Sequence, residues 1–163
     1  SKPKRPKFPG IEKTVEAVDY LLGKADVGDN PVIIGGGLTA CEIAYDLVLK
    51  GKKPSIIEVK NDLIAVRGVC LANSSFLREY LALHQVPVYL EAPCKEITDE
   101  GAIYVDKEGN DVLVKGSKVI MSVGYNPDPL FKPSRHVHLI GDCNGVGNLR
   151  TVIWRAWDVA MKI

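Results

Sequence analysis

Cysteine and histidine patterns, long apolar runs and targeting signals are scarce or absent in this 163-residue sequence. It has four cysteines and three histidines, with no C-x-x-C pair and no Cys/His spacing typical of zinc, which excludes the zinc-finger and disulfide-stapled classes. No apolar run is long enough to cross a bilayer, and no secretory signal is visible. We therefore expect free thiols in a reducing compartment, no metal site, no membrane contact and a cytoplasmic location.

An excess of one charge is also lacking. The 21 basic and 20 acidic residues leave a net charge of +1, which gives no reason to expect nucleic acid or an anionic membrane as a partner. The one charge run is basic, at residues 1–7, and we interpret it as a solvated tail. The length suits one domain, and 46% hydrophobic with 25% charged residues is a globular composition.

Apolar periodicity divides the chain into helices and strands. Helical spacing predicts helices at residues 12–22, about 38–50, 73–84 and 149–163. Short apolar runs predict buried strands at 32–34, 55–59, 86–90 and 118–123, a hairpin meander at 95–98, 102–106 and 112–115, and a further strand at 136–140. The predicted fold is α/β, a Rossmann-like three-layer domain whose parallel sheet carries helices on one face and an antiparallel β-meander on the other.

A glycine-rich segment directly follows the first buried strand and begins the next helix. It fits the pattern G-x-G-x-x-[GA], in which each small residue is required for a physical reason. Gly35 permits the tight strand-to-helix turn, Gly37 lets a pyrophosphate approach the backbone, and Ala40 keeps the helix close to the strand. The free N–H groups of the helix then face the phosphates. The candidate nucleotide-binding residues here are Gly35, Gly36, Gly37, Leu38, Thr39 and Ala40.

An acidic residue stands where the ribose of a dinucleotide would lie. Glu58 follows Gly35 by 23 residues, at the end of the second predicted strand, and its carboxylate would accept hydrogen bonds from the adenosine ribose hydroxyls. Its charge would repel a 2′-phosphate and so favours NAD over NADP, a preference that Lys60 would soften. The alternative is a solvated carboxylate at a strand end.

Several segments together resemble the NAD(P)-binding domain of flavin-dependent pyridine nucleotide oxidoreductases. They are residues 35–44 (GGGLTACEIA), 17–28, 122–127 (SVGYNP) and 139–143 (LIGDC). The likeness is to the C-terminal region of NADH:flavin oxidoreductases with an old-yellow-enzyme barrel, the group of 2-enoate reductase, 2,4-dienoyl-CoA reductase and trimethylamine dehydrogenase. It covers nearly the whole chain.

The resemblance implies cofactor roles that the residues alone do not. Glu42 matches an acid near the nicotinamide–flavin contact, and Asp142 matches the aspartate that binds a ribitol hydroxyl of FAD. Val123, Gly124 and Gly141 lie in the matching segments and join the candidate cofactor-binding residues. No catalytic residue is predicted.

The family's FAD domain begins with a glycine loop of its own, whereas this sequence contains one such loop. We therefore interpret residues 1–163 as a single NAD(P)-binding domain with its core at about 28–126, flanked by remnants of an FAD domain at about 1–12 and 136–163. The resemblance implies NAD(H) as the ligand and FAD in the full-length parent enzyme, with FMN and a 4Fe-4S cluster on domains absent here. The FAD-domain and barrel-domain portions of that enzyme would be its partners.

These observations predict an NADH-binding domain that delivers hydride from NADH to FAD in a multidomain oxidoreductase and is inactive alone. Two alternatives stay open: a self-contained small FAD-binding protein, and a non-catalytic nucleotide-binding module. The sequence leaves the parent's substrate undecided, and it leaves assembly into a homo-oligomer open.

Overall fold

The structure, a computed structural model, describes residues 1–66 and 68–163. The helices are α1 (Ala17–Leu21), α2 (Leu38–Leu49), α3 (Leu71–Leu83) and α4 (Leu149–Ala160), with short 3-10 turns at Ile11–Lys13 and Gly141–Cys143. The strands are β1 (Lys2–Pro3), β2 (Val15–Glu16), β3 (Val32–Ile34), β4 (Ser55–Ile57), β5 (Val88–Tyr89), β6 (Cys94–Thr98), β7 (Gly101–Val105), β8 (Asp111–Lys115), β9 (Val119–Met121) and β10 (Tyr125–Asn126).

The chain forms two compact units. The larger comprises Arg5–Val123, and the smaller combines Ser1–Lys4 with Gly124–Ile163. The larger unit therefore extends further toward the N-terminus than the core predicted at about 28–126. That the flanking segments are remnants of an FAD domain stays a prediction.

Five strands of the larger unit form one parallel sheet in the order β2-β9-β3-β4-β5. β3 pairs with β4 on one side and with β9 on the other. After β3 the chain adds β4 and β5 on one side of that strand, and it later adds β9 on the other side. In open parallel sheets, such a reversal creates a crevice at the carboxyl ends of the strands, where ligands bind.

Residues of this sheet alternate between its two faces, and each face has its own apolar core. Ile33, Ile56 and Ile120 pack with the helices on one face. Ile34 and Ile57 pack toward the meander on the other. The strands β3, β4 and β9 are consequently buried at every position, as expected of a parallel sheet covered on both sides. The predicted three-layer α/β fold is confirmed.

The layer opposite the helices is a three-stranded antiparallel meander in the order β6-β7-β8. The register between β7 and β8 runs without a break from the Gly101–Lys115 pair to the Val105–Asp111 pair. The strands predicted at 95–98, 102–106 and 112–115 begin and end within one residue of those observed.

The helix predicted at residues 12–22 is wrong in its first half. Thr14 has extended φ and ψ angles of −83° and 153°, and the next two residues form β2. Val15 pairs with Ile120 of β9, so backbone bonds to the sheet replace those of a helical turn. Tertiary pairing here overrides a helical spacing of apolar residues, and α1 is the only α-helical part of the predicted range.

The smaller unit has little regular structure before α4. The strand predicted at 136–140 is wrong, because the structure has only an isolated bridge there, between Ser134 and Val137. Residues 131–138 are exposed, and none of the described strands pairs with them. Without a partner for its backbone groups, an alternating apolar segment does not form a strand.

The helix α4 begins with a capping box. Asn148 accepts a hydrogen bond from the Thr151 N–H at 3.0 Å, and the Thr151 hydroxyl oxygen accepts one from the Asn148 N–H. Across residues 1–66 and 68–163, no helix has both the length and the apolar character needed to cross a membrane.

The helix-side core supports a stability prediction at Leu81, which is 1% exposed on α3. Leu81→Ala should lower the free energy of unfolding by about 2–5 kcal/mol, because it empties a filled core position. Leu83→Ala is the matched control: Leu83 is 77% exposed, so its truncation should change that free energy by less than about 0.5 kcal/mol. Urea denaturation followed by circular dichroism measures both, and equal losses would contradict the described face of α3.

A second prediction concerns the thiol of Cys41 on α2. Burial raises its pKa to about 12, from an ordinary 9.0. Between these values the unfolded chain ionises the thiol and the native chain does not, so stability falls as pH rises above the lower value. Between about pH 7.5 and about pH 10.5, the native chain should lose roughly 2 kcal/mol more unfolding free energy than Cys41→Ala.

The control for this pH dependence is Cys70→Ala, since Cys70 is exposed. That variant should lose as much stability over the same pH range as the unsubstituted chain. Urea denaturation under reducing conditions at both pH values gives the comparison. Identical pH dependence with and without the Cys41 thiol would show that this thiol is not buried in solution.

Candidate functional site

The segment that joins β3 to α2 lies at the carboxyl edge of the parallel sheet. Gly35 donates its N–H to the Ile57 carbonyl of β4 at 2.8 Å and has a φ of 103°. A Cβ atom there would lie 2.4 Å from the Ser122 carbonyl oxygen, just beyond β9. Both the left-handed backbone and the close approach of the neighbouring strand require glycine.

The peptide group of Gly36 is held from both sides. Its N–H donates to Oε2 of Glu58, and its carbonyl accepts from the Ile64 N–H at 2.7 Å. A Cβ atom on Gly36 would lie 2.7 Å from Leu63 Cδ2 and 3.0 Å from the Glu58 side chain. The middle glycine of the motif is therefore needed for packing, a role that the sequence pattern, which leaves this position open, did not indicate.

Gly37 differs from its two neighbours. Its φ of −71° is accessible to any residue. Apart from its chain neighbours, no atom of the described residues would lie within 4 Å of a Cβ atom there. It is the N-cap of α2 and has no side chain with which to cap the helix. The first N–H groups of a helix lack intrahelical partners and carry a partial positive charge. At the start of α2, these free N–H donors face the open space beside Gly37.

The remaining candidate residues at the start of α2 differ in their burial. Ala40 is completely buried, which lets α2 pack closely on the sheet. Leu38 is half-buried and Thr39 is exposed. Glu42, one turn further along α2, is also exposed. Among these residues the buried one is therefore the small Ala40, and the polar Thr39 and Glu42 face solvent.

Glu58 directly follows β4, which ends two residues before the predicted end at residue 59, and Glu58 is only 7% exposed. Besides the Gly36 N–H, its carboxylate accepts the Lys60 N–H on Oε1 at 2.7 Å. Charge-assisted bonds of this kind are stronger than those between neutral groups. Each carboxylate oxygen has a further lone pair for another donor. Glu58 therefore shapes the loop in addition to any contact with a ligand.

Ile64 is a residue that sequence reasoning missed. It is 3% exposed and has a φ of 52°, a conformation in which a β-branched residue is an outlier. This backbone directs its N–H at the Gly36 carbonyl, while its own carbonyl accepts the Val66 N–H at 2.7 Å. Strained residues of this kind cluster at ligand sites. No local pattern of residue types predicts a left-handed isoleucine.

Cys41 lies in the first turn of α2 and is fully buried. Its thiol lies 3.7 Å from the Gly36 carbonyl oxygen, and burial raises its pKa to about 12. A thiol in this state is a packing group and no nucleophile. Within residues 1–66 and 68–163, His, Cys, Asp and Glu side chains do not gather in groups of three that could hold a metal ion.

The remaining candidate residues are divided between the two units. Val123 ends the larger unit, one residue after the Ser122 carbonyl that adjoins Gly35. Gly124, Gly141 and Asp142 belong to the smaller unit. There, Asp142 accepts the Gly147 N–H on Oδ1 at 3.1 Å. The structure thus brings the glycine loop, Glu58 and Val123 together within one unit.

Comparisons with known proteins agree with this geometry. The chain is 32% identical to cinnamate reductase of Clostridium sporogenes, over all of this chain and 25% of that protein. It is 30% identical to NADH oxidase of Thermoanaerobacter brockii, over all of this chain and 27% of that protein. A structure of 2-naphthoyl-CoA reductase with 2-naphthoyl-CoA superposes with a TM-score of 0.87 and 28% identity, over 99% of this chain and 26% of that one.

The chain therefore spans about a quarter of the length of the curated relatives it matches. The family model for pyridine nucleotide-disulphide oxidoreductases matches residues 1–141, which include the parallel sheet, the glycine loop and Glu58. On the strength of that match and of the fold, this chain belongs to the pyridine nucleotide-disulphide oxidoreductase family.

Proposed function

We propose that the chain is the NADH-binding domain of a larger flavin-dependent oxidoreductase, in which NADH delivers hydride to FAD. The observation that carries this is the open N-terminus of α2 at Gly37, beside the buried carboxylate of Glu58. Two of its relatives, a reductase and an oxidase, are about four times as long as this chain. The domain would therefore supply nucleotide binding, and the rest of the enzyme would supply the other redox centres.

The loop fits the pyrophosphate of a dinucleotide. No atom from the described part of the chain fills the space beyond the Cα of Gly37. The N–H groups of Gly37, Leu38 and Thr39, at the start of α2, would donate to phosphate oxygens. When bound, the nicotinamide supplies a hydride. The residues of this chain bind and orient the nucleotide, since the cofactors carry the redox chemistry.

Glu58 would select the nucleotide. Its carboxylate already accepts two backbone N–H groups, and its remaining lone pairs would accept the adenosine ribose hydroxyls. A buried negative charge at this point would repel a 2′-phosphate, which favours NADH over NADPH. Lys60 is exposed two residues later and would soften this preference.

The other candidate residues would serve the flavin side of the reaction. We propose that Glu42 and Val123 of the larger unit lie near the nicotinamide in the complex, and that Gly124 of the smaller unit also contacts a cofactor. Gly141 and Asp142 would contribute to FAD binding, because Oδ2 of Asp142 remains for a ribitol hydroxyl while Oδ1 holds Gly147. FMN and a 4Fe-4S cluster would be bound by other domains, and electrons would pass to an unsaturated or amine-type substrate.

Gly37→Val should abolish NADH binding in a domain that still folds. The new side chain would fill the space for the pyrophosphate, whereas the backbone angle at Gly37 suits any residue. We expect the Kd for NADH to rise by more than about tenfold, and the unfolding free energy to change by less than about 1 kcal/mol. Nicotinamide fluorescence titration measures the first quantity and urea denaturation the second.

The matched control is Gly109→Ala, in the turn between β7 and β8. Gly109 has a φ of 85°, and no atom of residues 1–66 and 68–163 crowds the space beyond its Cα. Alanine there therefore costs about 1–2 kcal/mol of stability and should leave the Kd unchanged. Unchanged affinity in folded Gly37→Val would refute the proposed site. A native chain that purifies with FAD and does not bind NADH would instead be a small flavoprotein. A chain whose thermal stability is unchanged by NADH, NADPH and FAD would be a non-catalytic docking or sensing module.

Glu58→Gln should lower the preference for NADH over NADPH together with the stability of the chain. The amide has no charge to repel a 2′-phosphate, and it has one acceptor oxygen for two backbone N–H groups. A buried N–H left unpaired costs about 1–3 kcal/mol. Glu79→Gln, at an exposed position of α3, is the control. A stability loss with an unchanged ratio of the two Kd values would make Glu58 purely structural.

A further inference from the structure

One edge of the meander is open. The strand β8 pairs with β7 on one side, and no strand among residues 1–66 and 68–163 pairs with its other side. Its side chains alternate: Asp111, Leu113 and Lys115 are exposed, whereas Val112 is half-buried and Val114 is buried. An open strand edge is a template for pairing with another chain.

The hydrogen bonds of the hairpin show which backbone groups face this edge. The Asp106 N–H donates to the Asn110 carbonyl at one end, and the Gly116 N–H to the Glu100 carbonyl at the other, both at 2.9 Å. Bonded pairs alternate along an antiparallel ladder. With the register observed, Val112 and Val114 bond to β7. The N–H and C=O groups of the three exposed residues therefore point outward.

The sequence of β8, Asp-Val-Leu-Val-Lys, has opposite charges at its two ends and an apolar residue at its centre. Two copies that run antiparallel about Leu113 would bring Asp111 of each opposite Lys115 of the other. All outward-pointing backbone groups would be paired in this register, including those of the two central leucines. We propose that β8 pairs antiparallel with β8 of a second copy of this chain.

The charged side chains are available for this contact. Asp111 is bound to Lys95 through Oδ2 at 2.5 Å, which leaves Oδ1 for the incoming lysine. Lys115 is 77% exposed and lies 3.9 Å from Glu100, a loose contact. Directly opposed, opposite charges stabilise a strand pair and like charges destabilise it. A register shifted by one or two residues would lose this match of charges.

A five-residue strand pair makes a small interface, and interfaces of that size are weak and transient. Charged residues on an edge strand otherwise serve to prevent association. Pairing with a second copy requires the negative charge at one end of β8 and the positive charge at the other. Prevention of association requires only that charges are present. Exchanging the two charges therefore distinguishes them.

Sedimentation equilibrium of the 163-residue chain, from about 10 µM to about 1 mM, should show a mass rising toward twice 17.8 kDa. Asp111→Lys and Lys115→Asp should each weaken this association by about tenfold, because each places two like-charged pairs in the dimer. The double variant, which exchanges the charges, should restore it. Amide hydrogen exchange at residues 111, 113 and 115 should slow as the concentration of the native chain rises.

Glu108→Lys, at an exposed position of the turn before β8, changes the net charge as much as Asp111→Lys does and should leave association intact. Circular dichroism of each variant checks that it is folded. The proposal is overturned by a native chain that is monomeric at 1 mM, by a double variant no better than the single ones, or by equal weakening in Glu108→Lys. NADH affinity should be the same in all four variants.

Discussion

The arrangement of the glycine loop depends on how the Gly36 peptide group is bound. Its N–H is held by the Glu58 carboxylate and its carbonyl by the Ile64 N–H, and all three residues are buried. In a low-dielectric interior such bonds are strong when made and expensive to lose. Fixing this one peptide also fixes Gly35 before it and Gly37 after it, so α2 begins in a defined direction.

The layers on either side of the sheet make that rigidity possible. The helix layer and the meander bury the opposite faces of the same short strands, so β3 and β4 have little freedom to shift. Their carboxyl ends then hold the glycine loop and Glu58 at a constant separation. The meander thus contributes to the site by completing the burial on which the strands depend, and Val123 packs against the apolar cluster on that face.

Local chemistry was enough to predict much of this structure. The turn at Gly35, the uncapped helix start and an acid at the end of β4 all follow from residue types at fixed spacing. The helix predicted at Val15 is wrong because the conformation of this segment is set by pairing with β9, more than a hundred residues away. The backbone of Ile64 and the packing of Gly36 also depend on contacts between distant segments. Such contacts leave no periodic trace in the sequence.

The three loop glycines do not share one reason for being glycine. At Gly35 and Gly36, a larger residue would collide with the protein itself. At Gly37 no atom of residues 1–66 and 68–163 opposes a side chain, so any pressure to keep glycine there would come from the nucleotide proposed to bind. Among proteins that share this fold, a descendant that has lost its nucleotide would be free to drift at position 37 while it retained glycine at 35 and 36.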